Sequence, residues 1–164
     1  QSKSTVGTNV TVISGDTIRS SSDNFLGNII DGNSGVSPIA KFDTKDFETK
    51  FAATVNFNPE DHLDKKEIRR VDEFIQFGLI ASDECVKDSG LILDRENLSK
   101  IGVSIGSGIG GLGTIEENKI KLSEAGPKKI SPFFVPGAIS NMVSGYASLK
   151  FGLKGPNISI ASAC

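Results

Sequence analysis

The chain has 164 residues, with 18 Lys and Arg against 20 Asp and Glu and a formal net charge of −2. That near-balance excludes a global basic field that would draw the chain onto nucleic acid, and no apolar run reaches the ~18 residues of a membrane-spanning helix. The two cysteines are far apart and do not make a disulfide framework, which sets the expectation of a reducing compartment.

The opening residues are small and polar, without the charged and then apolar pattern of a leader. Val10 to Ile13 is a β-branched run that predicts a first strand, stopped at Ser14-Gly15. Ser20 to Asp23 offer N-caps for a short helix near 23–31, with Phe25, Leu26, Ile29 and Ile30 at helical spacing and Gly32 as its C′ residue. Residues 33–60, punctuated by Pro38 and Pro59, read as loop with one or two short strands, one of them over 51–57. The strongest helical signal covers 64–89. There Ile68, Val71, Ile75, Leu79, Ser82 and Val86 form one stripe, Asp64 caps the start and Gly90 closes the end. Its low charge in the second half predicts a well-buried helix.

Ile101 to Ile105 predicts a short strand that runs into the glycine-rich stretch 106–113. A charged, solvent-facing helix is expected over 114–124, ended by Gly126-Pro127. Pro132 and Pro136 bracket Phe133 to Val135, and a third helix is expected over 137–150, stopped by Gly152. Asn157 to Ala161 reads as a buried strand of small side chains. Strands and helices alternate throughout without internal repeats, which predicts an α/β layered fold.

Four features could carry chemistry. Gly106, Gly108 and Gly111 satisfy G-x-G-x-x-G between a predicted strand and helix, the setting of a dinucleotide fingerprint. The acidic strand end expected ~20 residues later is missing, so a closely packed loop is the competing reading. Lys66, Arg69 and Arg70 place cations on one side of a helix start, where the macrodipole disfavours them, with Lys128-Lys129 as a second basic pair. A solvated face is the usual reason for such a run, and docking of an acidic partner is the functional one. His62 stands alone as a surface residue, no ligand cluster accompanies it, and no metal is expected. Cys85, in the helical stripe, reads as a small core side chain. Cys164 ends a strand behind tiny residues, a layout open to a reactive thiol as well as to a buried structural cysteine.

Several blocks fall in a familiar order: Gly106-Ser-Gly-Ile-Gly-Gly-Leu-Gly113, Ile115-Glu-Glu-Asn118, Gly126-Pro-Lys-Lys-Ile-Ser-Pro-Phe-Phe-Val-Pro136, Asn141-Met-Val-Ser-Gly145 and Gly155-Pro-Asn-Ile-Ser-Ile-Ala-Ser-Ala-Cys164. From Gly32 onward the chain resembles the elongating β-ketoacyl-acyl-carrier-protein synthases, in particular the synthase II class. The resemblance implies a thiolase-like αβαβα sandwich, of which residues 1–164 would be most of the first half, truncated at the nucleophile. It implies decarboxylative Claisen condensation in fatty-acid synthesis without a cofactor, in the cytoplasm as for a bacterial-type enzyme, with an organelle as the alternative. Cys164 would carry the acyl chain, and its own amide would help stabilise the oxyanion. Ile109 and Phe134 match positions that line the acyl channel at a homodimer interface. Lys66, Arg69, Arg70 and Lys128 match the surface that docks acidic acyl carrier protein.

The family's two catalytic histidines and supporting lysine fall beyond position 164. His62 matches neither histidine, so this piece alone is expected to be inactive. The family's Ser-Pro turn after the first strand is also missing here. Readings kept beside this one are a polyketide-type ketosynthase, a thiolase-related acyltransferase, and a non-catalytic module that is either truncated or binds a nucleotide through residues 106–113.

Overall fold

The computed structural model describes residues 30–53 and 58–161. The expected strand at 10–13, almost all of the expected helix at 23–31, the second half of the expected 51–57 strand and Cys164 lie outside the described residues. The chain divides into two compact units, Gln1–Asn58 and Pro59–Cys164.

In the first unit, β1 (Val36–Pro38) pairs antiparallel with β2 (Phe51–Ala53), in the register Val36 to Ala53 and Pro38 to Phe51. Ile39 extends the ladder by donating to Lys50 O at 3.0 Å. Pro38 is tolerated because a two-stranded ladder has outward edges where a missing N–H is no loss. Between the strands, Phe42 and Phe47 meet edge to face with centroids 5.5 Å apart.

The second unit begins with a 3-10 turn at Pro59–Asp61, followed by a single α-helical turn, α1 (Lys65–Ile68). Asp64 Oδ1 accepts from Lys66 N and Glu67 N at 2.7 and 2.8 Å, and Glu67 Oε2 accepts from Asp64 N, which completes a capping box. The single helix expected over 64–89 is in fact interrupted. A second helix, α2 (Glu73–Asp88), starts afresh with Asp72 as its N-cap. The apolar period runs unbroken through the interruption, which hides it from a sequence pattern. Gln76 helps to stabilise the break, because its buried amide donates to Val71 O at 3.2 Å, a carbonyl the α1–α2 turn leaves outside the helical ladder.

Burial of α2 is as expected in its first half only, since Ser82, Cys85 and Val86 are half-buried and Lys87 and Asp88 are exposed. Ile75, Leu79, Ile80 and Ala81 are buried, and they pack against α5 (Met142–Phe151), which contributes buried Val143, Ser144 and Ala147. The crossing is close because Gly78 faces Val143, whose Cγ2 occupies the space a Cβ would need. Lys150 of α5 reaches Asp83 of α2 at 3.7 Å beside the Asp83–Lys87 pair.

The region expected as one helix over 137–150 is likewise two: α4 (Phe134–Ala138) and then α5, which ends where Gly152 adopts the left-handed conformation at φ 66°. Leu153 N then donates to Ser148 O at 2.9 Å. The charged helix is α3 (Leu112–Ala125). Short strands β3 (Val103–Ser104) and β4 (Asn157–Ile158) pair in parallel, with α3, α4 and α5 in the crossover between them. The strand at 157–161 is not buried as expected. Ile158 and Ile160 are exposed because β3 is the only described strand beside it. What fixes β4 is polar: Asn157 Nδ2 donates to Ser144 O and Ser148 Oγ, and its Oδ1 accepts from buried Ser144 Oγ at 2.8 Å.

Candidate functional site

The parallel ladder continues beyond β3 and β4. Val103 N donates to Pro156 O at 2.8 Å, Ile105 N to Ile158 O at 3.3 Å and Ser107 N to Ile160 O at 3.1 Å. The glycine-rich loop therefore lies beside the segment that precedes Cys164 in sequence. Cys164 itself lies outside the described residues.

The glycines of this loop make room for the protein's own backbone. A Cβ at Gly106 would sit 2.9 Å from Ile160 O, and one at Gly110, whose φ is +84°, would sit 2.7 Å from Ala138 O. At Gly111 it would meet Ala138 Cα at 2.9 Å and Asp72 Oδ2 at 2.8 Å. The space beside these positions is filled by the 138–140 and 160 segments, which supports close packing over a phosphate cradle. Ile109, at the tip of this loop, is 68% exposed.

The basic residues sit differently from the sequence expectation. Because α1 ends at Ile68, Arg69 is its C-cap and Arg70 lies beyond it. Lys66 lies in the single turn α1, while Arg69 and Arg70 follow its carboxyl end and directly precede Asp72, the N-cap of the 16-residue α2. The cations thus still stand at a helix start, where the Asp72 and Glu73 carboxylates offset them. The Arg70 guanidinium lies over the Phe133 ring, 4.6 Å from its centroid, a contact worth about 0.5–1 kcal/mol at such partly exposed positions.

Arg69, Arg70, Asp72, Thr114, Asn118 and Phe134 all line one cleft of about 120 Å³. Lys66, exposed on α1, and Lys128, exposed in the Pro127–Lys129 turn, do not line it. The structure thus brings Arg69, Arg70 and Phe134 together and leaves Ile109, Lys66 and Lys128 outside that cleft.

Asp72 is the polar residue that sequence reasoning passed over. Its Oδ1 accepts from Phe74 N at 3.2 Å, capping α2. Its Oδ2 accepts from Thr114 N at 3.1 Å and Thr114 Oγ1 at 2.6 Å, at the first turn of α3. Its own amide donates to Gly137 O of α4 at 3.0 Å. The only local signal for it was an Asp in the middle of an apparently continuous helical stripe.

His62 is exposed, and among the described residues no group of His, Cys, Asp and Glu is arranged to hold a metal ion. Cys85 is half-buried where a core position was expected. Burial first, and then the nearby Asp88 carboxylate, push its thiol up, which disfavours thiolate. Asp83 is affected most by burial, which opposes its ionisation, yet the Lys87 hydrogen bond and the Lys150 charge outweigh that and hold its carboxyl below the ordinary value. No helix among the described residues is long and apolar enough to cross a membrane.

The model of the beta-ketoacyl synthase N-terminal domain matches residues 6–164. The 3-oxoacyl-acyl-carrier-protein synthase 2 of Coxiella burnetii is 51% identical over 137 residues, which cover 83% of this chain and 33% of that protein. The synthase 2 of Vibrio cholerae is 49% identical over 137 residues, with the same shares. The chain therefore spans about a third of the length of the curated relatives it matches.

Among solved structures, the ishigamide ketosynthase/chain length factor superposes with a TM-score of 0.68 at 20% identity, covering 86% of this chain and 35% of that one. A type II polyketide acyl-carrier protein in complex with its ketosynthase bound to the hexaketide gives a TM-score of 0.57 at 25% identity, covering 62% and 29%. These likenesses show the fold to be the thiolase-like α/β fold of the ketosynthases. With its family model matched over nearly every residue, the chain belongs to the beta-ketoacyl synthases and carries their N-terminal domain.

Proposed function

We propose that this chain is the amino-terminal part of a 3-oxoacyl-acyl-carrier-protein synthase that elongates fatty acids, and the first half of a layered αβαβα sandwich. In this reading the Cys164 thiolate attacks the thioester of acyl-carrier protein, taking the acyl group and releasing the carrier's thiol. Malonyl-carrier protein then loses CO2, and the resulting carbanion attacks the enzyme thioester. The Cys164 thiolate leaves, and the product is a 3-oxoacyl chain on the carrier, lengthened by an acetyl unit. The backbone amide of Cys164 stabilises the oxyanion in both steps.

The observation that carries this reading is that Cys164 lies within the stretch matched by the beta-ketoacyl synthase family model, in a chain about half identical to synthase 2 enzymes over 137 residues, and that residues just before it pair with the glycine-rich loop. Ile109 and Phe134 line the acyl channel in this reading, and a second copy of the enzyme completes it. Lys66, Arg69, Arg70 and Lys128 receive the acidic carrier, a role supported by the grouping of Arg69 and Arg70 at one cleft and by the solved ketosynthase–carrier complex of a relative. The enzyme works in the cytoplasm.

The test uses the full-length protein. Cys164→Ala should abolish transfer of a labelled acyl group from acyl-carrier protein to the enzyme and lower condensation by on the order of 10³-fold or more. Full condensing activity in that variant would overturn the reading. A polyketide role is the second reading, favoured by the fold likeness to polyketide ketosynthases. Preference for a poly-β-keto over a saturated acyl-carrier substrate would establish it instead.

A further inference from the structure

We infer that Asp72 is a positioning residue for the carrier-binding turn, an inference that rests on the carrier-docking reading above. Three separate elements converge on this one side chain and its amide. The carboxylate caps α2 through Phe74 N and the first turn of α3 through Thr114 N and Thr114 Oγ1. The amide holds Gly137 O of α4. The surroundings are shaped to admit it. At Gly111 a Cβ would lie 2.8 Å from Asp72 Oδ2, and at Gly137 one would lie 2.6 Å from Arg70 O.

Arg69 and Arg70 directly precede this anchor, in the turn that separates α1 from α2. With the turn fixed at Asp72, Arg70 is held over Phe133, and Arg69 stays exposed at the same cleft. Arg69 N and Arg70 N close the turn onto α1 and Gln76 holds Val71 O, while the carboxylate is what ties the end of the turn to the starts of α2 and α3. Two oxygens are essential, because each serves a different helix start. An Asn at this position has one acceptor oxygen and leaves either Phe74 N or Thr114 N without a partner. Asp72 does not touch the reacting thioester. It sets where the two guanidinium groups stand when an acidic carrier arrives.

The experiment compares Asp72→Asn, Thr114→Val and Thr114→Ser in the full-length enzyme, using an acyl-carrier protein and the matching acyl-pantetheine, which has no protein surface to dock. For Asp72→Asn the KM for acyl-carrier protein should rise about tenfold relative to the KM for acyl-pantetheine, with kcat on the carrier substrate changing far less. Thr114→Val should shift the same ratio in the same direction by a smaller factor, and Thr114→Ser should restore it. Parallel loss with both thioesters would overturn the inference, because it is the signature of general destabilisation. An unchanged ratio in both Asp72→Asn and Thr114→Val would overturn it too. A wild-type enzyme that accepts neither thioester would instead overturn the condensing-enzyme reading, and this inference with it.

Discussion

Helices α2 and α3 are nearly equal in length, 16 and 14 residues, yet they are held in the fold by different means. Along the first half of α2 an apolar stripe is buried, with Ile75 at 0% exposure. Along α3 only Asn118 is buried, and Leu112, Ile115, Ile120 and Leu122 all face outward. What anchors α3 is its first turn, through the Asp72–Thr114 bonds and the approach of Gly111 to Ala138. One helix is placed by the area it covers and the other by a few directional bonds at one end. The two should therefore respond oppositely to the same kinds of substitution.

The largest contrast is expected from truncation. Ile75→Ala leaves a cavity at the α2–α5 contact and should destabilise the full-length protein by about 2–5 kcal/mol. Ile120→Ala on α3 should change stability by no more than about 0.5 kcal/mol. Denaturant midpoints measure both, and equal losses would break the distinction.

Added methyl groups come next. Gly78→Ala drives a Cβ into Val143 and should cost about 1–3 kcal/mol. Gly113→Ala meets no atom within 4 Å and should stabilise α3 by up to about 1 kcal/mol through helix propensity.

The smallest effect is expected in acid. The Asp83 carboxyl of α2 has a folded value below its ordinary 3.8. As pH falls, the unfolded chain takes up this proton first. The stabilisation from Lys87 and Lys150 is thus complete above about 3.8 and is lost as pH drops through the lower folded value. Asp83→Asn should flatten the acid limb of a stability-versus-pH curve in that window. An unaltered limb would remove the ion pair from the account of how α2 is held.

The same contrast governs how much could be read from sequence. The stripe of α2 was legible because burial repeats with the helical period, and the Asp64 capping box and the Gly152 stop are local in the chain. The break before α2 was not legible. Ile68, Val71 and Ile75 keep the period across it, and the decisive bonds run from Asp72 to Thr114 and Gly137, far outside any local window. The short gap between α4 and α5 was hidden similarly.

The basic residues were recognised as a group at a helix start, but the long helix that Arg69 and Arg70 precede begins at Glu73 and not at 64. At 157–161 the apolar alternation was read as strand, which holds for Asn157–Ile158, and Ile158 and Ile160 are exposed among the described residues, since alternation reports which side chains could be covered and not what covers them. The glycine cluster matched a phosphate-binding spacing, and only its neighbours in space reveal its packing role.

The glycines of this protein also differ in their mutational future. Gly78 is opposed by the side chain of Val143, so a smaller residue at 143 could open space for a larger one at 78. Gly102 and Gly155 are opposed by carbonyls, with Cβ positions 2.6 Å from Pro156 O and 2.5 Å from Ile101 O, in the segments that lead into β4 and β3. No second substitution removes a carbonyl. A side chain at either position therefore requires the backbone itself to shift, and in a mutational scan these two positions should tolerate replacement less well than Gly78 paired with a smaller residue at 143.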